Sequence, residues 1–147
     1  MKKQLFFGHL LTLLCGGFIY AVFRSRISVL FRLFDFLSID KYVNNLRANA
    51  LRERAILPDW FLFSLPDGLW IFSYMSLILL IWRNRITRHN MIWIFSVPII
   101  IILLEVGQGF KLVKGTFDMA GLFFYLSGII TPLLLYTKND AKLKETI

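Results

Sequence analysis

Cysteine is nearly missing from these 147 residues: Cys15 stands alone, so no disulfide can staple the chain to itself. Histidine is as scarce. His9 and His89 are the only two, and neither has another His, a Cys or an acid at zinc spacing, which argues against a transition-metal site and leaves no cofactor indicated. There is no Gly-Lys-Ser/Thr phosphate loop and no Gly-x-Ser-x-Gly elbow, so the common nucleotide-binding and serine-hydrolase signatures are absent. Charge is thin as well. Only 18% of residues carry it, and they cluster between long uncharged runs instead of lining amphipathic helices.

What the chain does have is apolar bulk: 57% hydrophobic residues and 15 Phe, with a mean hydropathy of +0.65. That surplus exceeds what a small soluble core can use, and lipid is the expected solvent for it. The net charge of +8 is carried by Lys and Arg that flank the apolar runs. Such residues meet anionic headgroups and fix orientation, so nucleic acid is not expected as a partner.

Crossing a bilayer takes about 20 residues, and four runs qualify, at about residues 5–23, 61–82, 91–110 and 117–136. The first follows Lys2 and Lys3 as a signal peptide would, but it is long for a signal core and lacks a small-x-small pair before Arg24, so a signal anchor is expected. Trp60, Trp82, Trp93 and Tyr136 fall near span ends, as interfacial aromatics do. Pro66, Pro98 and Pro132 suggest kinks, which membrane helices tolerate. Between the first two spans, residues 27–39 place Ile27, Leu30, Phe31, Phe34 and Leu37 on one helical face, which predicts a helix lying in the interface. A more polar helix over residues 41–56 is expected to follow, capped by Asp40 and ended before Pro58. The whole chain reads as one all-α, polytopic membrane domain.

With an even number of spans, both termini and the loop around Arg83 share one side. That side carries Lys2, Lys3, Arg83, Arg85, Arg88, Lys138, Lys142 and Lys144, while the remaining basic residues are spread over the long first loop and the connection at Lys111 and Lys114. Basic density therefore expects both termini in the cytoplasm.

The third span breaks its apolar run at Glu105-Val-Gly-Gln108. At about 1.5 Å per residue Glu105 stands roughly 21 Å beyond Met91, past the midplane and near the exit, where an ionisable group still has to be paired or neutralised. Gln108 is three residues on and shares its helical face. Asp118 opens the fourth span and Asp67, in Leu65-Pro-Asp-Gly-Leu-Trp70, opens the second. Four spans put all of these at one membrane face, with Gly107, Gly109 and Gly115 around them to let backbones or a ligand approach. A structural alternative stands beside this one: Glu105 and Gln108 stitching helices together, Asp67 and Asp118 capping the spans they begin, Lys111 and Lys114 anchoring at the interface.

The segment Glu105-Val-Gly-Gln108, then Gly115-Thr-Phe-Asp118, then Gly128, resembles the signature of VanZ-like membrane proteins, which runs Glu-x-x-Gln, Arg-Thr-Phe-Asp, a further Asp, an Asn and a Gly. Upstream, Asp67 and Tyr74 resemble the ends of that family's Asp-Lys-x-x-His-Phe-x-x-Tyr element. The likeness covers roughly residues 66–130. Here Gly115 replaces the usual Arg, Gly121 the second Asp, Tyr125 the Asn, and Trp70 or Ile71 stands near the His position. The resemblance implies a bacterial cytoplasmic-membrane protein of the cell envelope, in a family sometimes associated with glycopeptide-antibiotic tolerance and without an established catalytic chemistry. It carries over Glu105, Gln108 and Asp118.

The function expected from the sequence is a non-enzymatic, VanZ-like membrane protein whose Glu105, Gln108, Asp118 and Asp67 form a polar pocket near the outer face, in contact with a lipid or envelope precursor. Two others remain open. One is a small membrane enzyme acting on a phosphorylated lipid, with these acids as base or metal ligands. The other is a structural subunit of a membrane complex whose carboxylates lock helices together.

Overall fold

The computed structural model describes residues 1–23, 32, 36, 38, 40–50, 52 and 54–137. Most of these are helical, with no strand among them, and four helices are long and apolar enough to cross a membrane. They are α1 (Gln4–Phe23), α3 (Trp60–Ile81), α4 (Met91–Gly109) and α5 (Met119–Tyr136), each within two residues of the span expected from hydropathy. A shorter helix, α2 (Asp40–Ala50), precedes α3. Its described extent stops short of the expected 41–56, and a 3-10 turn follows at Arg54–Ile56. The interfacial helix expected over residues 27–39 lies almost wholly outside the described residues, as do Lys138, Lys142 and Lys144.

α3 is the centre of the bundle. In its most apolar window 44% of residues are buried, against 17–22% in the other three, so α1, α4 and α5 pack around it and turn their outer faces to lipid. The buried core is correspondingly small: Ile71, Met75 and Leu79 of α3, Ile94 of α4 and Ile129 of α5. Because lipid tails are as apolar as leucine, hydrophobicity does little to hold such helices together, and close backbone approach and polar ties take over. Both are present. At the crossing of α3 and α5, a Cβ on Gly128 would run into the Gly68 carbonyl and the Ile71 side chain, and one on Gly68 would lie 2.9 Å from the Phe124 carbonyl. Tyr74 donates its hydroxyl to the Trp93 carbonyl at 2.6 Å, tying α3 to α4. His9 Nδ1 is 2.7 Å from Ser73 Oγ, tying α1 to α3.

The ends of α1, α3 and α4 are handled by side chains and by local geometry. Arg47 of α2 is 8% exposed and donates to the Ala21 carbonyl near the end of α1 at 2.7 Å, which docks the polar helix on that terminus. Gln4 and Asn84 exchange two amide hydrogen bonds of 2.9 Å, joining the start of α1 to the end of α3. Asn90, 2% exposed, accepts from the Thr87 N–H and donates to the Arg85 carbonyl, closing the loop before α4.

α3 and α4 both end in a Schellman motif. After α3 the Asn84 N–H reaches the Leu79 carbonyl at 2.7 Å and the Arg83 N–H the Leu80 carbonyl at 3.0 Å. After α4 the Leu112 N–H reaches the Gly107 carbonyl at 2.8 Å and the Lys111 N–H the Gln108 carbonyl at 3.0 Å. The residue that turns left-handed is usually glycine, but here it is Arg83 at φ 52° and Lys111 at φ 59°. A side chain in that region is strained by about 1–2 kcal/mol, partly offset by the extra unfolded-state freedom of glycine. Lys111→Gly is therefore expected to stabilise the protein by about 0.5–1 kcal/mol, read as a higher denaturant midpoint for the full chain in detergent.

The start of α3 loosens for an identifiable reason. Pro66 has no N–H for the Leu62 carbonyl and its ring crowds that oxygen. The turn before it, Trp60–Ser64, is a wider π-helical turn in which the Leu65 N–H bonds back to Trp60. The helix is thereby continued upstream and not broken, and Asp67 falls inside the span, more than a turn from its first residue.

Candidate functional site

At the end of the bundle where α3 and α5 begin and α4 finishes, a cavity of about 890 Å³ opens between the helices. Asp67, Glu105, Gln108 and Asp118 all line it, together with Asp59, Ser64, Gly115, Tyr125 and the aromatic rings of Trp60, Phe63 and Phe117. The four residues expected to converge thus reach one chamber, although they do not meet at a point. Among the described residues no three His, Cys, Asp or Glu side chains come close enough together to hold a metal ion.

Asp118 is the N-cap of α5. Its Oδ1 accepts from the Ala120 N–H at 3.0 Å. Its Oδ2 accepts from the Ser64 hydroxyl at 2.5 Å, so the residue that caps α5 also ties it to α3. Ser64 is 2% exposed.

Glu105 completes that cap from another helix. In a capping box the third helical residue carries a Glu or Gln that reaches back to the N-cap N–H. In α5 the corresponding residue is Gly121, which has no side chain, and Glu105 of α4 supplies the acceptor: its Oε1 takes the Asp118 N–H at 2.8 Å. A carboxylate near the C-terminal end of its own helix is disfavoured by that helix's dipole, whereas the N-terminus of α5 favours it, and the hydrogen bond fixes the second arrangement. Glu105 is 8% exposed, yet Oε2 makes no hydrogen bond among the described residues.

Gln108 lies one turn further along α4, and its amide makes no hydrogen bond among the described residues. It packs against Gly115, whose φ is +149°; a Cβ there would stand 2.6 Å from Gln108 Oε1. An arginine at position 115, as in the VanZ-like pattern, would need both a different backbone and a displaced Gln108. On the opposite wall Tyr125 donates to Asp67 Oδ2 at 3.2 Å, linking α5 to α3 beneath the chamber. Below that pair a smaller cavity of about 220 Å³ continues between α3 and α4, lined by Asp67, Trp70, Tyr74 and Tyr125.

Sequence reasoning missed Ser64 and the role of Tyr125. Ser64 is three residues before Asp67 and so shares its face, and Asp118, Gly121, Tyr125 and Gly128 follow one another along a single stripe of α5. Helical phasing was the available signal in both cases. Asp59 and Trp60 at the rim carried no motif.

No protein-family model matches the chain, and no curated protein or solved structure is significantly similar to it.

Proposed function

We propose that this protein is a VanZ-like, multi-pass protein of the bacterial inner membrane, with its termini in the cytoplasm, and that it holds the polar head of a lipid or lipid-linked envelope precursor in the chamber at the outer face. The supporting observation is a chamber of about 890 Å³, near the end of three spans, lined by Glu105 and Gln108, of which Glu105 Oε2 and the Gln108 amide make no hydrogen bond among the described residues. A purely structural site would use these groups up. Pockets that bind amphiphiles combine apolar and aromatic walls with a few placed polar groups, which is the composition here.

A structural reading has an observation of its own, because both oxygens of Asp118 and one of Glu105 are spent on joining helices. The two readings make different predictions for Glu105→Gln, which keeps an acceptor for the Asp118 N–H and alters the free end. Full-length protein extracted in native membrane particles is expected to retain an amphiphile, measurable by mass spectrometry of the extracted lipid, that both Glu105→Gln and Gln108→Leu release. An unchanged lipid complement in both variants would sink the pocket reading. In a Cys15→Ser background, an impermeant thiol reagent added outside cells should label Thr116→Cys and spare Thr87→Cys. The reverse pattern would invert the orientation.

A further inference from the structure

The slot of about 220 Å³ between α3 and α4 continues the chamber into the membrane. Asp67 and Tyr125 line both spaces, so the hydrogen bond between them marks the neck where one passes into the other. Beyond the neck the walls are Trp70 and Ile71 of α3 and Val97 and Ile101 of α4. Further along, Tyr74 lines the slot and ties the two helices through its bond to the Trp93 carbonyl. Polar groups thus stand at the two ends, with apolar walls between them.

The sequence of α4 repeats this change along one stripe. Gln108, Glu105, Ile101 and Val97 are spaced by three, four and four residues and share a face. Asp67, Ile71 and Tyr74, spaced by four and three, do the same on α3. Both stripes start polar at the chamber and turn apolar on the way into the membrane. From Glu105 to Val97 the rise is about 12 Å, a depth comparable with one leaflet of a hydrocarbon core of about 30 Å.

An amphiphile whose head sits in the chamber has to carry its chain back to hydrocarbon, and the slot is an apolar path that leaves the chamber in that direction. Left empty, a space of this size would deny its walls their dispersion contacts. Water is a poor filler, because it needs about two to four polar partners and the side chains of Ile71, Val97 and Ile101 supply none.

We infer that the slot takes the hydrocarbon chain of the amphiphile whose polar head sits in the chamber, and that Ile101 and Val97 set which chains fit. The inference rests on the pocket reading of the chamber and adds to it a route for the chain, between α3 and α4.

The test measures by mass spectrometry the lipid retained by the full chain in native membrane particles, with folding followed by denaturant titration in detergent. Ile101→Trp fills the slot and should lower the retained amphiphile by about tenfold, as expected when extra bulk is forced into a space already filled. Ile100→Trp, on the exposed outer face of the same helix, should leave it at the wild-type level. Ile101→Ala widens the slot and should shift the retained species toward bulkier chains on the same head, which provides a reading even where the Trp variant does not fold. A folded Ile101→Trp protein that retains the amphiphile as wild type does overturns the inference. So does an Ile101→Ala protein with an unchanged chain distribution. If Glu105→Gln and Gln108→Leu release the amphiphile while both Ile101 variants keep it unaltered, the chamber stands and the chain route falls. If none of the four changes the retained lipid, the pocket reading falls and the chain route with it.

Discussion

Gly128→Leu is expected to leave no folded four-span bundle, and Gly128→Ala to lower stability by about 1–3 kcal/mol, the range for overpacking a tight contact. The sign is the informative part. In an ordinary helix interior, glycine to alanine stabilises by about 0.5–1 kcal/mol. At Gly128 the first added carbon meets the Gly68 carbonyl, the Ile71 side chain and, at 3.2 Å, the Phe72 nitrogen. Two of those three are backbone, which cannot rotate away, so α3 and α5 must separate. Gly17 of α1 supplies the control, because nothing lies within 4 Å of a Cβ there. Gly17→Ala should stabilise and Gly128→Ala destabilise in the same denaturant titration of the full chain in detergent. If both shift the midpoint in the same direction, the close crossing of α3 and α5 is wrong. The crossing also fixes the site: Tyr125 is one turn before Gly128 and Asp67 is next to Gly68, so forcing the helices apart lengthens the 3.2 Å bond between them.

The four spans were readable because lipid makes a demand that composition cannot hide. About 20 apolar residues are needed to cross, and Lys, Arg, Trp and Pro gather where the crossing stops. The placing of Asp67, Glu105, Gln108 and Asp118 around one chamber was readable for a related reason, since an even number of spans returns alternate ends to the same face. Pairwise contacts were not. Hydropathy places Ser64 inside a span without saying that its hydroxyl will meet Asp118, which depends on the rotation of α3 relative to α5. Gln4 precedes the first apolar run and reads as a flanking polar residue until Asn84 is brought to it from 80 positions away. A capping box split between two helices has no local sequence pattern to detect, because the residue that completes it is 13 positions upstream and belongs to α4.

That split cap also explains how one residue serves both the fold and the chamber. Glu105 has two oxygens with different surroundings: one accepts a backbone N–H across a helix pair, and the other has no partner among the described residues. An intramembrane carboxylate that served only as glue would be expected to find partners for both, because leaving either bare near the bilayer is unfavourable. Asp118 provides the comparison within the same site, as each of its oxygens is taken, by Ala120 and by Ser64.

Two substitutions at Glu105 separate these roles. Glu105→Leu removes the acceptor for the Asp118 N–H and leaves that donor facing a leucine. Loss of a partner for a buried donor costs about 1–3 kcal/mol, and the effect here is expected in the lower half of that range, about 1–2 kcal/mol, because Asp118 is only partly buried and cavity water can reach its N–H. Removing a negative charge from the C-terminal end of α4 returns about 0.3–1 kcal/mol, too little to reverse the sign. Glu105→Gln keeps a carbonyl oxygen at the same position and should stay within about 1 kcal/mol of wild type. The expected pattern is thus a destabilised Leu variant and a near-normal Gln variant, both measured by denaturant titration, with ligand retention lost in each. A Leu variant as stable as wild type would show that the 2.8 Å bond to Asp118 carries no weight in the fold. A Gln variant that is stable and still retains its amphiphile would show that the free oxygen carries none in binding.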